Sequence, residues 1–170
     1  MTEEPRDNRE DGIQRLEVPL FSGGYGIGGR TNLESREETI SRATSEINQI
    51  RDTFKNPKPG QDDGIADQYI YYIEHRLHLS PTDIGMTDEM VKEFVKEGFV
   101  CDARRHLESA KKLYEMFQSS DTRESHKNFA HNRMFEHIRS MDARIQEADA
   151  LREAIFNSDE LEIISIMENS

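Results

Sequence analysis

Residues 33–54 read LESREETISRATSEINQIRDTF. Apolar side chains fall at Ile40, Ala43, Ile47, Ile50 and Phe54, in steps of three, four, three and four. A helix gathers residues at that spacing onto one stripe, and an average step of about 3.5 is the seam of a coiled coil. Leu33 extends the stripe one heptad upstream. Arg36 is the misfit, and its stem can lie along the seam with its charge in water. Two capping-box spacings offer a start: Thr31 with Glu34, and Ser35 with Glu38. The end is fixed, because Asn56-Pro57-Lys58-Pro59-Gly60 cannot continue a helix. About three heptads is short for a coiled coil, so this helix needs a partner inside the chain or on another subunit.

Composition narrows the function classes. Only 34% of the 170 residues are hydrophobic and 33% are charged, which suits solvated helices with a disordered end. Thirty-four acids against 22 bases give a net charge of −12, so the chain has no general attraction to phosphate backbones or anionic lipid. The acids concentrate in residues 60–97 and in the last fourteen, which hold Asp159, Glu160, Glu162 and Glu168. Cys101 is the single cysteine, which excludes an internal disulfide and points to a reducing, cytoplasmic compartment. No apolar run approaches the roughly 20 residues that span a bilayer.

Upstream of the first helix, residues 1–15 are charged and expected to be disordered. Leu16–Phe21 is a short extended stretch in which Pro19 fits an edge or a docking peptide. Gly24 to Thr31 matches the P-loop spacing, except that Arg30 stands where the lysine belongs. That chemistry also needs a parallel sheet and acidic metal ligands, and neither follows in the sequence. The segment therefore reads as a hinge, or as a loop held by a partner with Tyr25 and Ile27 as anchors.

Downstream, Ala66, Tyr69, Ile70, Ile73 and Leu77 mark a second helix over about 65–79. Ser80-Pro81-Thr82-Asp83 is a helix start that stops near Gly85. Thr87 caps a further helix, which the sequence ends at Gly98 as a C′ glycine. A helix-turn-helix over 80–97 would offer Asp88, Glu89, Glu93 and Glu97 to the groove, where bases and phosphates need Arg, Lys, Asn or Gln. The next helix is predicted over 100–118, with Ala103, Leu107, Ala110, Tyr114 and Phe117 inward. Its Arg104, Arg105, Lys111 and Lys112 read as a solvated face with pairs such as Glu108–Lys112, the alternative being a dock for an acidic segment such as the chain's own tail.

Asp121 and Glu124 have capping spacing for the longest predicted helix, 122–156, about 50 Å if continuous. His131 and Arg152 sit on or beside its heptad line. Leu161–Met167 closes the sequence as either a capped helix docked on the bundle or a peptide for a partner's groove.

The histidines, His75, His78, His106, His126, His131 and His137, show no converging ligand spacing, so no metal or cofactor is expected. Cys101 and His106 both lie at the start of the helix predicted over 100–118, which would lower a thiol's pKa, but five residues point them to different sides. No catalytic signature is present. The expectation is an all-α protein: a disordered arm with a Gly-rich loop over 1–30, a bundle of five or six helices over 31–156 with two long amphipathic members, and an acidic short helix or tail over 157–170. Its expected role is non-enzymatic interaction or assembly, through a protein partner or self-association. The residues expected to carry it are Leu20, Phe21, Tyr25, Ile27, Ile40, Ile47, Phe54, Leu161, Ile164 and Met167. The alternatives are a regulatory protein binding nucleic acid or nucleotide through 80–97 or 24–31, and a small helical enzyme.

Overall fold

The computed structural model describes residues 34–170. The expectations for Leu20, Phe21, Tyr25, Ile27 and the Gly24–Thr31 loop lie outside that range. The chain is all-α, with no strand among the described residues. Among the described residues six helices run in the order α1 (Arg36–Phe54), α2 (Ile65–His75), α3 (Asp88–Gln118), α4 (Glu124–Glu147), α5 (Arg152–Ile155) and α6 (Ser158–Glu168). A 3-10 turn occupies Pro81–Ile84. The described residues fall into two compact units, 34–52 with 67–92, and 53–66 with 93–170.

In the first unit α1 starts at the second of the two capping boxes. The Ser35 N–H donates to Glu38 Oε1 at 2.8 Å and the Glu38 N–H to Ser35 Oγ at 3.1 Å. Ala43, Ile47 and Ile50 are buried as their spacing predicts, with Ile40 half-buried. Thr39 joins them, its hydroxyl 2.9 Å from Glu34 Oε1. Arg36 pairs with Asp83 at 3.0 Å. The Arg42 guanidinium grips Glu34 with two bonds of 2.9 Å, and the Tyr69 hydroxyl donates to Glu46. Burial, then the charge of Glu46, holds the Tyr69 pKa well above its ordinary value.

α2 ends at His75, four residues earlier than its apolar pattern suggests. Tyr72 O accepts from the N–H groups of Arg76 and Leu77, His78 turns left-handed (φ 55°), and Ile73 O takes the Leu79 N–H at 2.8 Å. Leu77 and Leu79 stay buried, so the signal that lengthened the helix belongs to the core. The 3-10 turn closes as read, with the Ser80 N–H on Asp83 Oδ2 at 2.7 Å and Gly85 at φ 78°. Thr87 Oγ1 accepts from the Met90 N–H at 3.2 Å, capping α3.

The second unit corrects two predicted boundaries. α3 does not stop at Gly98; it is one helix of 31 residues, the longest in the described chain. A Cβ at position 98 would lie 2.7 Å from the Ala66 Cβ and 3.4 Å from Phe54 Cζ. This glycine allows close approach and ends nothing. α4, in turn, does not run from 122 to 156. It ends at Glu147 after 24 residues, about 36 Å. Asp149 takes φ 55°, and the Ala150 N–H returns to Ile145 O at 3.2 Å. Asp121 does not cap α4; its N–H donates to Ser119 Oγ at 3.2 Å.

The chain turns back there because α6 has a place to go. Ile155, Phe156, Ile164 and Met167 join Ala103, Leu107 and Ala110 of α3 and Met134, Ile138, Met141 and Ile145 of α4 in one buried cluster. Arg152 bridges the turn, reaching Asp142 Oδ2 at 2.7 Å and Glu168 Oε2 at 2.8 Å. The Asn157 capping box starts α6, with the Glu160 N–H on Asn157 Oδ1 at 2.9 Å and the Asn157 N–H on Glu160 Oε1 at 3.0 Å. The C-terminal segment is thus a capped helix docked on α4. Arg104 of α3 donates to Ile155 O and lies 3.4 Å from Glu160, so this basic face receives the chain's own acidic segment. Glu108 pairs with Lys111 at 3.1 Å.

Candidate functional sites: a buried carboxylate–histidine cluster and an apolar cleft

α3 carries Asp102 and His106 one helical turn apart, beside its apolar stripe, so both enter the interior of the second unit. Asp102 is 1% exposed, His106 3% and His137 of α4 7%. The Nδ1 atoms of His106 and His137 lie 2.9 Å apart. On its other edge, His106 Nε2 lies 2.7 Å from Asp63 Oδ1, in the linker after α1. The Gly64 N–H donates to Asp102 Oδ2 at 2.5 Å, while Asp102 Oδ1 is buried without a hydrogen-bond partner. The linker is held again where the Gly60 N–H meets Ser109 Oγ at 3.2 Å and where Asp62 approaches Arg105 to 3.7 Å.

Burial dominates the electrostatics. It pushes the Asp102 carboxyl up to about 7, helped by the charge of Asp63 and opposed by the Gly64 N–H, Arg105 and Arg144. His137 is held below the ordinary imidazole value by burial first, then by His106 and Arg133. Burial also raises the Cys101 thiol, against the hydrogen bond and charge of Arg105. Cys101 sits well inside α3, away from any helix start, so the expected source of a lowered pKa is missing. The cluster can hold and move protons; among the described residues no three His, Cys, Asp or Glu side chains converge as metal ligands.

Two of the other histidines stack on aromatic rings. His131 stacks on Phe117 at 4.3 Å and meets Ser170 Oγ at 3.0 Å, tying α4 to the end of α6. His75 stacks on the exposed Tyr71 at 4.1 Å.

In the first unit a cleft of about 130 Å³ is lined by Thr44, Ile47, Asn48, Arg51, Ile84, Gly85, Met86 and Met90. Met90 is 41% exposed there. In the second unit a cleft of about 250 Å³ is lined by Phe54, Glu93, Lys96, Glu97, Val100, Cys101 and Arg104. Of the residues expected to meet a partner, Ile47 and Phe54 line one cleft each and Ile40 is half-buried. Ile164 and Met167 are core residues and Leu161 packs against them, so in the folded chain α6 spends its apolar face internally. The sequence reading missed the Asp63–His106–His137 chain altogether. The available signal was the four-residue step from Asp102 to His106 on the flank of an apolar stripe.

Comparison of the chain with family models, with curated proteins and with solved structures found no match in any of the three. No helix among the described residues is long and apolar enough to cross a membrane.

Proposed function

We propose that this chain is a non-enzymatic helical interaction module of the cytoplasm, and that the cleft of its first unit seats an apolar side chain from a protein partner. The cleft carries the reading: Ile47, Ile84, Met86 and the exposed Met90 give it an apolar lining. Its size supports the same choice. Small-molecule sites usually exceed about 300 Å³, whereas about 130 Å³ suits an anchoring side chain. Methionine at such a surface adapts to the shape of what binds.

The test places a photo-crosslinking benzoylphenylalanine at Met90 in the full chain, with a control at the exposed Arg139 of α4. One adduct of defined mass is expected from position 90, absent from the control and lost when Ile84→Asp is added. An adduct of twice 19.7 kDa identifies a second copy as the partner. No adduct at position 90, or the same adducts from both positions, refutes the reading.

A further inference from the structure

Two ring nitrogens 2.9 Å apart leave room for one hydrogen between them. His106 Nε2 faces a carboxylate oxygen of Asp63 and so carries its own hydrogen. With both rings neutral, the His137 Nδ1–H then donates to His106 Nδ1. One added proton is accommodated: His106 becomes an imidazolium that donates to Asp63 at one edge and to His137 at the other, and His137 moves its hydrogen to Nε2. A second added proton is not. It places two N–H groups head to head and two like charges in a buried site.

We propose that Asp63, His106 and His137 form an acid-operated latch, which fastens the 56–64 linker and α4 to α3 and opens when both imidazoles are protonated. Charged groups stand around it on each element. Asp62 and Asp63 stand on the linker, Asp102 and Arg105 on α3, and Arg133, Glu136 and Arg144 on α4. Arg133 disfavours a charged His137, while Glu136 and Asp63 favour it. The sign follows from burial. His137 resists protonation in the closed state and accepts it at the ordinary value near 6.5 once released, so closure weakens as pH falls below about 6.5. Asp102 works in the opposite sense, binding a proton on closure, so the test must isolate His137.

Deuterium exchange of the full chain carrying Asp102→Asn, which removes the opposing carboxyl, is followed from pH 7.5 to 5 and corrected for intrinsic rates. Amides of 56–64 and of α4 around His137 are expected to lose protection by up to about tenfold per pH unit in the acid half of the range. Amides of α1 in the first unit serve as the internal reference. His137→Gln, which hydrogen-bonds without titrating, flattens that dependence. Protection that ignores pH in the Asp102→Asn chain, or an equal slope once His137→Gln is added to it, overturns the latch. Should the variant not fold, nitrogen-15 titration of the wild-type histidines decides: two well-separated steps for the pair support the latch, and joint titration near the ordinary value overturns it.

Discussion

The Asp102→Asn variant is expected to be more stable than the wild type by about 2 kcal/mol at pH 8 and equal to it near pH 5. The folded carboxyl titrates at about 7, above its unfolded value near 4. A carboxyl raised in this way binds a proton on folding, so its cost is absent at low pH and grows as pH rises to about 7. Fully developed, a rise from about 4 to about 7 costs about 4 kcal/mol. Asparagine keeps an acceptor for the Gly64 N–H and never ionises. Its amide, placed where Asp102 Oδ1 has no partner, loses about 1–2 kcal/mol of that gain. Urea unfolding of both proteins from pH 5 to 8 checks this. Parallel stability curves, with no convergence toward acid, would show that Asp102 ionises freely in the folded chain.

The Gly98→Val variant is expected to lose about 3 kcal/mol. Its Cβ would enter at 2.7 Å from a methyl that cannot rotate away, and its branches would crowd Phe54. Gly98→Ala separates two opposing effects. Alanine gains about 1 kcal/mol of helix propensity in the interior of α3, and the contact with Ala66 costs more than that. Adding Ala66→Gly to Gly98→Ala removes the obstructing methyl from the first turn of α2, where glycine costs little. The double variant should recover wild-type stability or exceed it slightly, measured as the urea midpoint at constant slope. A Gly98→Ala protein that is already as stable as the wild type would mean that the helices part at no cost.

The helices with strong periodicity and a cap were readable from residues alone. Ser35, Ser80 and Thr87 begin their elements where side-chain chemistry says they should. Phe54 and Gln118 end theirs before the breakers that follow. The errors lie where one residue type has two physical uses. Glycine both tolerates a positive φ and permits close packing, and at Gly98 the second use applies, which no local pattern reveals. At Asp149 the reverse occurs, since a non-glycine residue takes φ 55° and the chain turns with no breaker to announce it. The energy that holds this turn comes from Ile164 and Met167 entering the core and from Arg152 joining Asp142 to Glu168, all distant in sequence. The buried cluster was hidden for the same reason. Positions 63, 106 and 137 have no shared periodicity, and only the folded chain brings them together. Position 106 could be flagged from its place beside the α3 stripe, but its partners could not.

Gly98 and Ala66 share a single methyl group between two helices. Over evolutionary time that methyl can be carried at either position, but not at both. The glycine at 98 is then half of a pair, and either position can drift only in step with the other.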